Sequence, residues 1–399
     1  MTTGTQAPAE RPLAGIRVLD LTSVVVGPVA TLRLAQYGAE VIKIETAEGD
    51  LMRRLGGPSP SGQHSGGYLH LNRGKRSVRL DLKRPAARRA LGRILDRCDV
   101  FVSNIRPDAL ARLGLDAETA CAARPRLIHC GITGFGPGGP YRGLPAYDSV
   151  LQGVAGVAGL TLRRDGQPLY APLLLCDHVT GEITAGAILA ALLRRERSGR
   201  GGAIEVPMHE TMAAFVLQEH LGRQSFVPPL GPAGDPRVLE PGNRPLRTAD
   251  GWISLTSNTD AQTHALLRLV GRPELIDDPR YRTVADRVKH AKDWYGFRET
   301  ALLGKTTAEW LAAFAAADVP AMPCHTLESL PADPHLVAVG LLQPDQHPQE
   351  GAILGLRGTV LQEGLPPPLD PPAEANGAST RAVLAEAGLA ADELAAAAD

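Results

Sequence analysis

Cys176-Asp177-His178 is the stretch of this chain best equipped for chemistry. It closes an apolar run, LYAPLLL, and is followed by Thr180-Gly181. From about Glu182 to Arg195 the sequence turns Ala/Leu/Ile-rich, gathers arginines and stops at Ser198-Gly199, which predicts a buried helix with a glycine stop. Asp177 is therefore expected just ahead of a helix start, where free N–H groups and the helix dipole favour an ionised carboxylate. Two roles fit an aspartate there. One is an N-cap, a common use of aspartate at helix starts. The other is an anionic nucleophile, because carboxylates form covalent intermediates and small neighbours leave a substrate room to approach.

The elements that must position this stretch read as an α/β alternation. GIRVLDL, VATLRLAQYG and AEVIKIE spell strand, helix and strand, with Gly27-Pro28 breaking the first strand, the opening of a doubly wound parallel sheet. Glu45 ends the second strand as a ribose-binding acid would, but the first turn, TSVVVGP, has one glycine where a dinucleotide fingerprint needs three, so NAD chemistry is disfavoured. SVRLDL, VFVSN, RLIHCGITGFG and AIEVPM continue as strands, with helices at AARRALGRILDRC and over 108–123, and a glycine-rich loop over GPGGPYRGLPAYDSVLQGVAGVAGL. Asn104 falls at a strand's C-terminal end, where open α/β sheets bind ligands. Arg73, Lys75, Arg76, Arg79, Lys83 and Arg84 crowd one segment, which fits a solvated face or a clamp for a phosphorylated ligand. HETMAAFVLQEHLG is a helix without the HExxH zinc pattern, since position 213 is Ala.

With 399 residues and a net charge of −1, the chain is long enough for two domains and offers no electrostatic case for nucleic acid or a membrane surface. Five cysteines without metal spacing suit reduced thiols and a cytoplasmic location. No metal site or permanently bound cofactor is expected.

PLAGIRVLDLTSVVVGPVATLRLAQYGAEVIKIE, NRGKRSVRLDLKRP, VFVSNIRPDALARLGL, GFGPGGPYRGLPAYDSVLQ and LLCDHVTGEITAGAILAALLRRERSGRGGAIEVPM, in this order over nearly the whole chain, resemble the class III CoA-transferases. That family includes formyl-CoA:oxalate and crotonobetainyl-CoA:carnitine transferases, with α-methylacyl-CoA racemase as a relative. The resemblance implies a large Rossmann-like α/β domain and a small α+β domain in an interlocked homodimer. Its implied layout is 1–222 for the first part of the large CoA-binding domain, 223–246 for a linker, 247–330 for the small domain and 331–399 for a segment returning to the large one.

The resemblance also assigns residues. Asp177 matches the nucleophile, with Cys176 in place of the usual glycine. It would attack an acyl-CoA thioester and carry first an anhydride and then an aspartyl-CoA thioester before a carboxylic acid acceptor takes the CoA; the CoA thioester is a substrate. Val25, Val26, Leu80, Lys83, Asn104, Ile105, Arg106 and Arg112 match CoA-contacting positions, with Lys83, Arg106 and Arg112 for the phosphates. Thr46 and Pro145 depart from that pattern where the oxalate enzyme has an arginine and a lysine. Tyr147 stands where racemases place a catalytic histidine, which favours the transferases over a 2-methylacyl-CoA racemase; a phenol is a poor base at neutral pH. His178 is an active-site neighbour. The small domain lacks the oxalate enzyme's glycine lid, and Asn243, Arg244 and Arg247 are the residues there that could read an acceptor carboxylate.

Overall fold

The computed structural model describes residues 11–390 together with 393, 396 and 397. The chain forms two compact units, one from Met1–Ala155, Ala171–Ala214 and His335–Asp399, the other from Gly156–Tyr170 and Phe215–Pro334. The expected boundaries at 222 and 331 compare with 214 and 334, and 156–170, expected in the large domain, groups with the second unit instead.

In chain order the elements of the first half are β1 (Arg17–Leu21), α1 (Val26–Gln36), β2 (Glu40–Glu45), α2 (Gly66–Leu71), β3 (Lys75–Arg79), α3 (Pro85–Leu95), β4 (Val100–Ser103), α4 (Pro107–Arg112), α5 (Ala117–Ala123), β5 (Ile128–Thr133), α6 (Asp148–Val154), α7 (Val157–Asp165), α8 (Leu175–Ser198), β6 (Gly202–Pro207) and α9 (Met208–His220). The six strands form one parallel sheet in the order β3-β2-β1-β4-β5-β6, the order of doubly wound nucleotide-binding folds. Alternate residues of a strand face opposite sides. On one side Leu19, Ile42, Ile44, Val78 and Phe101 pack with Leu91, Ile94 and Leu95 of α3 into a buried core, each large side chain contributing about 1.5–3 kcal/mol. On the other side Asp20, Lys43, Glu45 and Ser77 are buried polar groups.

Two sequence expectations change here. Gly27-Pro28 does not separate strand from helix but lies inside the first turn of α1, where a proline's missing N–H is no loss. A Cβ at Gly27 would come within 2.2 Å of the Thr22 side chain, so the turn closes only with glycine. The glycine-rich span after β5 holds two helices, α6 and α7, separated by Gly156 at φ 89.

The second unit also contains β7 (Leu246–Arg247), β8 (Trp252–Leu255), α10 (Asp260–Leu269), α11 (Val284–Lys289), α12 (Ala291–Gly296), α13 (Thr307–Ala316) and β9 (Ala321–Pro323). The three strands make an antiparallel sheet, β7-β8-β9. Thr259 and Thr306 start α10 and α13 with reciprocal capping boxes, and Leu266, Trp294, Trp310 and Phe314 fill the core. After α14 (Pro334–Ala338), a hairpin of β10 (Leu342–His347) and β11 (Gly351–Leu356) and then α15 (Thr380–Glu386) rejoin the first unit. Arg73 pairs with Asp345 at 2.7 Å, Glu374 accepts from Ser77 N–H at 2.7 Å, and Glu386 pairs with Arg76 at 2.8 Å. The basic run therefore divides: Arg73 and Lys75 are buried in structural contacts, while Lys83 remains exposed. The last helix expected over 380–396 ends at Glu386, and its tail lies largely outside the described residues.

Candidate active site

Asp177 does not precede a helix. It is the third residue of α8, which starts at Leu175, seven residues before the expected beginning. The helix runs through Thr180-Gly181 because that glycine is a contact point: a Cβ at Gly181 would lie 2.7 Å from the Val26 carbonyl oxygen and from Val29 Cβ. Without one, α8 lies directly on the first turn of α1, one helical turn beyond Asp177 on the same face. At its far end the predicted stop is present, with Gly199 at φ 72 and its N–H on the Arg195 carbonyl.

The N-cap role also falls elsewhere. Leu174 occupies the cap position with no side-chain bond. Asp148, the first residue of α6, supplies it from another element: its Oδ1 accepts from Cys176 N–H at 2.8 Å and Asp177 N–H at 3.1 Å. Its other oxygen accepts from Gln152 Nε2 at 2.6 Å, and Gln152 in turn holds the approach to α8 through Ala171 N–H at 2.8 Å and Leu173 O at 3.1 Å. The Asp177 carboxylate thus carries no capping bond. It is 8 % exposed, and burial, followed by the negative charge of Asp148, raises its pKa to about 7. A helix start alone would act in the opposite direction; desolvation and a like charge outweigh it. Asp148 is the residue of this arrangement that the sequence reading missed. Its only linear signal is Tyr-Asp opening an apolar helix, a pattern shared by ordinary helix starts.

The β1–α1 turn facing α8 is unusual. Val24 has φ 69, a left-handed conformation that costs a β-branched residue about 1–3 kcal/mol. Asn104, at the end of β4, clamps the residue before it: Asn104 Oδ1 accepts from Ser23 N–H at 3.1 Å and Nδ2 donates to Ser23 O at 3.0 Å. Since β1 and β4 are adjacent and begin the two halves of the sheet, this clamp crosses the switch point where such folds bind ligands.

The other sequence-derived residues divide by chemistry. Val25 and Val26 are buried at the start of α1, main chain included. The side chains of Leu80 and Ile105 belong to the core beneath β3 and β4. Lys83, Arg106 and Arg112 are exposed, and none forms an ion pair among the described residues. Val25, Val26, Leu80, Asn104, Ile105 and Arg106 all follow strand C-termini, so the sheet brings them to one edge. Tyr147 precedes Asp148 and is 68 % exposed. The His178 imidazole is held below its ordinary pKa by partial desolvation and by Arg33, against the pull of Glu182. In the second unit Asn243 donates to Arg237 O at 3.0 Å, Arg244 pairs with Glu299, and Arg247 is exposed on β7.

The sheet order is that of the doubly wound nucleotide-binding folds, and the helix packed on the first βα turn carries a desolvated, uncapped carboxylate. The chain belongs to CoA-transferase family III, whose sequence pattern matches residues 13–373. It is 35 % identical over 383 residues to a succinate–glutarate CoA-transferase of Agrobacterium fabrum, covering 94 % of this chain and 95 % of that protein. It is 30 % identical over 409 residues to a formyl-CoA:oxalate CoA-transferase of Escherichia coli, covering 96 % and 98 %. A crystal structure of a CAIB/BAIF family protein from Brucella suis superposes with a TM-score of 0.81 at 29 % identity, covering 95 % of this chain and 100 % of that one.

Proposed function

We propose that this CoA-transferase moves CoA from an acyl-CoA thioester to a carboxylic acid, with Asp177 as the nucleophile. The observation that carries the reading is a carboxylate released from capping by Asp148, desolvated, and set in the first turn of α8. Its oxygen attacks the thioester carbonyl and expels CoA thiolate, leaving a mixed anhydride. The thiolate returns to the Asp177 carbonyl and releases the donor acid, which leaves an aspartyl-CoA thioester. The acceptor carboxylate then attacks that thioester, and the thiolate attacks the acceptor's carbonyl in the new anhydride. Acyl-CoA leaves and Asp177 is a carboxylate again. Every leaving group is a carboxylate or a thiolate, so no proton need be moved, and covalent intermediates divide the exchange into four substitutions.

The acceptor is proposed to be a dicarboxylic acid, since the named acids of both relatives, succinate, glutarate and oxalate, are dicarboxylic. Lys83, Arg106 and Arg112 would take the CoA phosphates, while Asn243, Arg244 and Arg247 would read the acceptor. The assembly is proposed to be an interlocked homodimer, and unpaired cysteines support a cytoplasmic setting. The test pairs succinyl-CoA and glutaryl-CoA with a panel of unlabelled acids and follows new CoA esters by mass spectrometry. Transfer in the native protein and its loss in Asp177→Asn, with acyl-CoA binding retained, are expected. Wash-in of deuterium at the α-carbon of a 2-methylacyl-CoA without any transfer would replace this reading with the racemase.

A further inference from the structure

We infer that Asp50, with its counter-ion Lys43, is a positioning residue for the transfer reaction: it holds Val24 in the left-handed turn that seats the start of α1 against the nucleophile's helix. The inference rests on the proposed role of Asp177 and concerns residues that touch neither substrate nor Asp177 directly.

Buried side chains hold the turn from Thr22 to Pro28 at Thr22, Val24 and Pro28. Asp20 Oδ1 accepts from Thr22 N–H at 3.0 Å, and Lys43 Nζ donates to Thr22 O at 2.9 Å. Asp50 Oδ1 accepts from Val24 N–H at 3.0 Å, and Lys75 Nζ donates to Pro28 O at 3.0 Å. All four charged side chains are buried, and the ammonium of Lys43 stands 2.8 Å from Asp50 Oδ2. Asp50 also caps the short helical turn that follows, accepting from Met52 N–H at 2.9 Å, and its own N–H is held by Glu45 at 2.9 Å. The contact to Val24 is therefore made from an anchored base.

Buried ion pairs are a poor source of stability, since apolar replacements often do as well. A glycine at position 24 would reach φ 69 without help. The chain instead has a β-branched residue there and spends a buried carboxylate on its N–H, which is a device for one exact backbone placement. That placement reaches the nucleophile through Gly181, whose missing side chain sets α8 on Val26 and Val29. If the turn relaxes, the first turn of α1 moves, and the start of α8 moves with it. A misplacement of that size far from the reacting atoms can lower turnover by up to about a hundredfold.

The test measures kcat, KM and urea unfolding for Asp50→Ala, Val24→Gly and the double variant, with the native enzyme in the same transfer assay. D50A is expected to lose about tenfold or more in kcat, with KM for acyl-CoA moved less than about threefold, in a chain still folded at the assay temperature. V24G alone is expected to stay near native. The double variant is expected to regain most of the lost kcat, because glycine adopts the left-handed turn without strain. A D50A protein that is destabilised yet keeps native kcat where folded would overturn the inference, as would a folded double variant no faster than D50A. If D50A does not fold, the double variant decides alone: near-native kcat supports the inference, and a loss of about tenfold contradicts it. Absence of transfer in the native enzyme would defeat the proposed function instead, so the two failures are distinct.

Discussion

Nucleophilic attack on a thioester needs an ionised carboxylate, yet Asp177 has a pKa of about 7, raised by burial and by Asp148. Both effects make the anion less well solvated and more reactive once it forms. Activity with acyl-CoA is therefore expected to rise with pH through about 7 and then level. Asp148→Asn keeps an oxygen for the Cys176 and Asp177 N–H groups but removes the like charge, so the midpoint of its kcat/KM profile should move to lower pH; an unmoved midpoint would assign the shift to burial alone. Linkage gives a second expectation. A carboxyl whose folded pKa lies above its ordinary 3.8 contributes stability present below that ordinary value and lost as pH rises through the folded one. Asp177→Asn should then unfold at higher urea than the native chain at about pH 8, with the gain fading towards about pH 4. A site tuned for reaction at the expense of stability behaves this way.

At the scale of elements, the packing of α8 on α1 sets where Asp177 stands. Gly181→Ala would drive a methyl to 2.7 Å from Val26 O, and overpacking of this kind typically costs about 1–3 kcal/mol. A lower unfolding midpoint together with reduced kcat is expected, whereas Gly186→Ala, where a Cβ meets nothing within 4 Å, should be neutral or stabilising on both measures. The stretch around Asp177 stood out in the sequence because it interrupts an apolar run, and the parallel strands were legible because short apolar runs alternate with helical segments. The true start of α8 was not, because Thr180-Gly181 reads locally as a helix break, and only the neighbouring α1 explains the glycine. Asp148 was hidden for a related reason: it caps a helix 27 residues away in sequence, between Asp148 and Leu175, and capping signals are local. Lys75 belonged to a basic run that fitted a solvated face or a phosphate clamp, since strand alternation does not tell a buried polar face from a solvated one. Asn104 was placed correctly at a strand end, but its amide is committed to Ser23.

At the scale of the molecule, α8 is long and apolar enough to cross a bilayer by composition, with half of its most apolar window buried in this unit, as core helices are. Two of its large apolar residues, Ile183 and Leu193, are exposed, as are Val150 of α6 and Leu173 and Leu174 before α8. A second copy covering them follows from the proposed homodimer. Sedimentation equilibrium should give about twice the 42.2 kDa chain mass, an obligate apolar interface being stable at ordinary concentrations; a monomer at micromolar concentration would exclude that assembly. The most direct measurement of the central claim is to mix the native enzyme with succinyl-CoA, quench with hydroxylamine and digest for peptide mass spectrometry. The account predicts a hydroxamate on Asp177, formed only in the presence of the thioester. A hydroxamate on another residue, or none while CoA transfer proceeds, would contradict it.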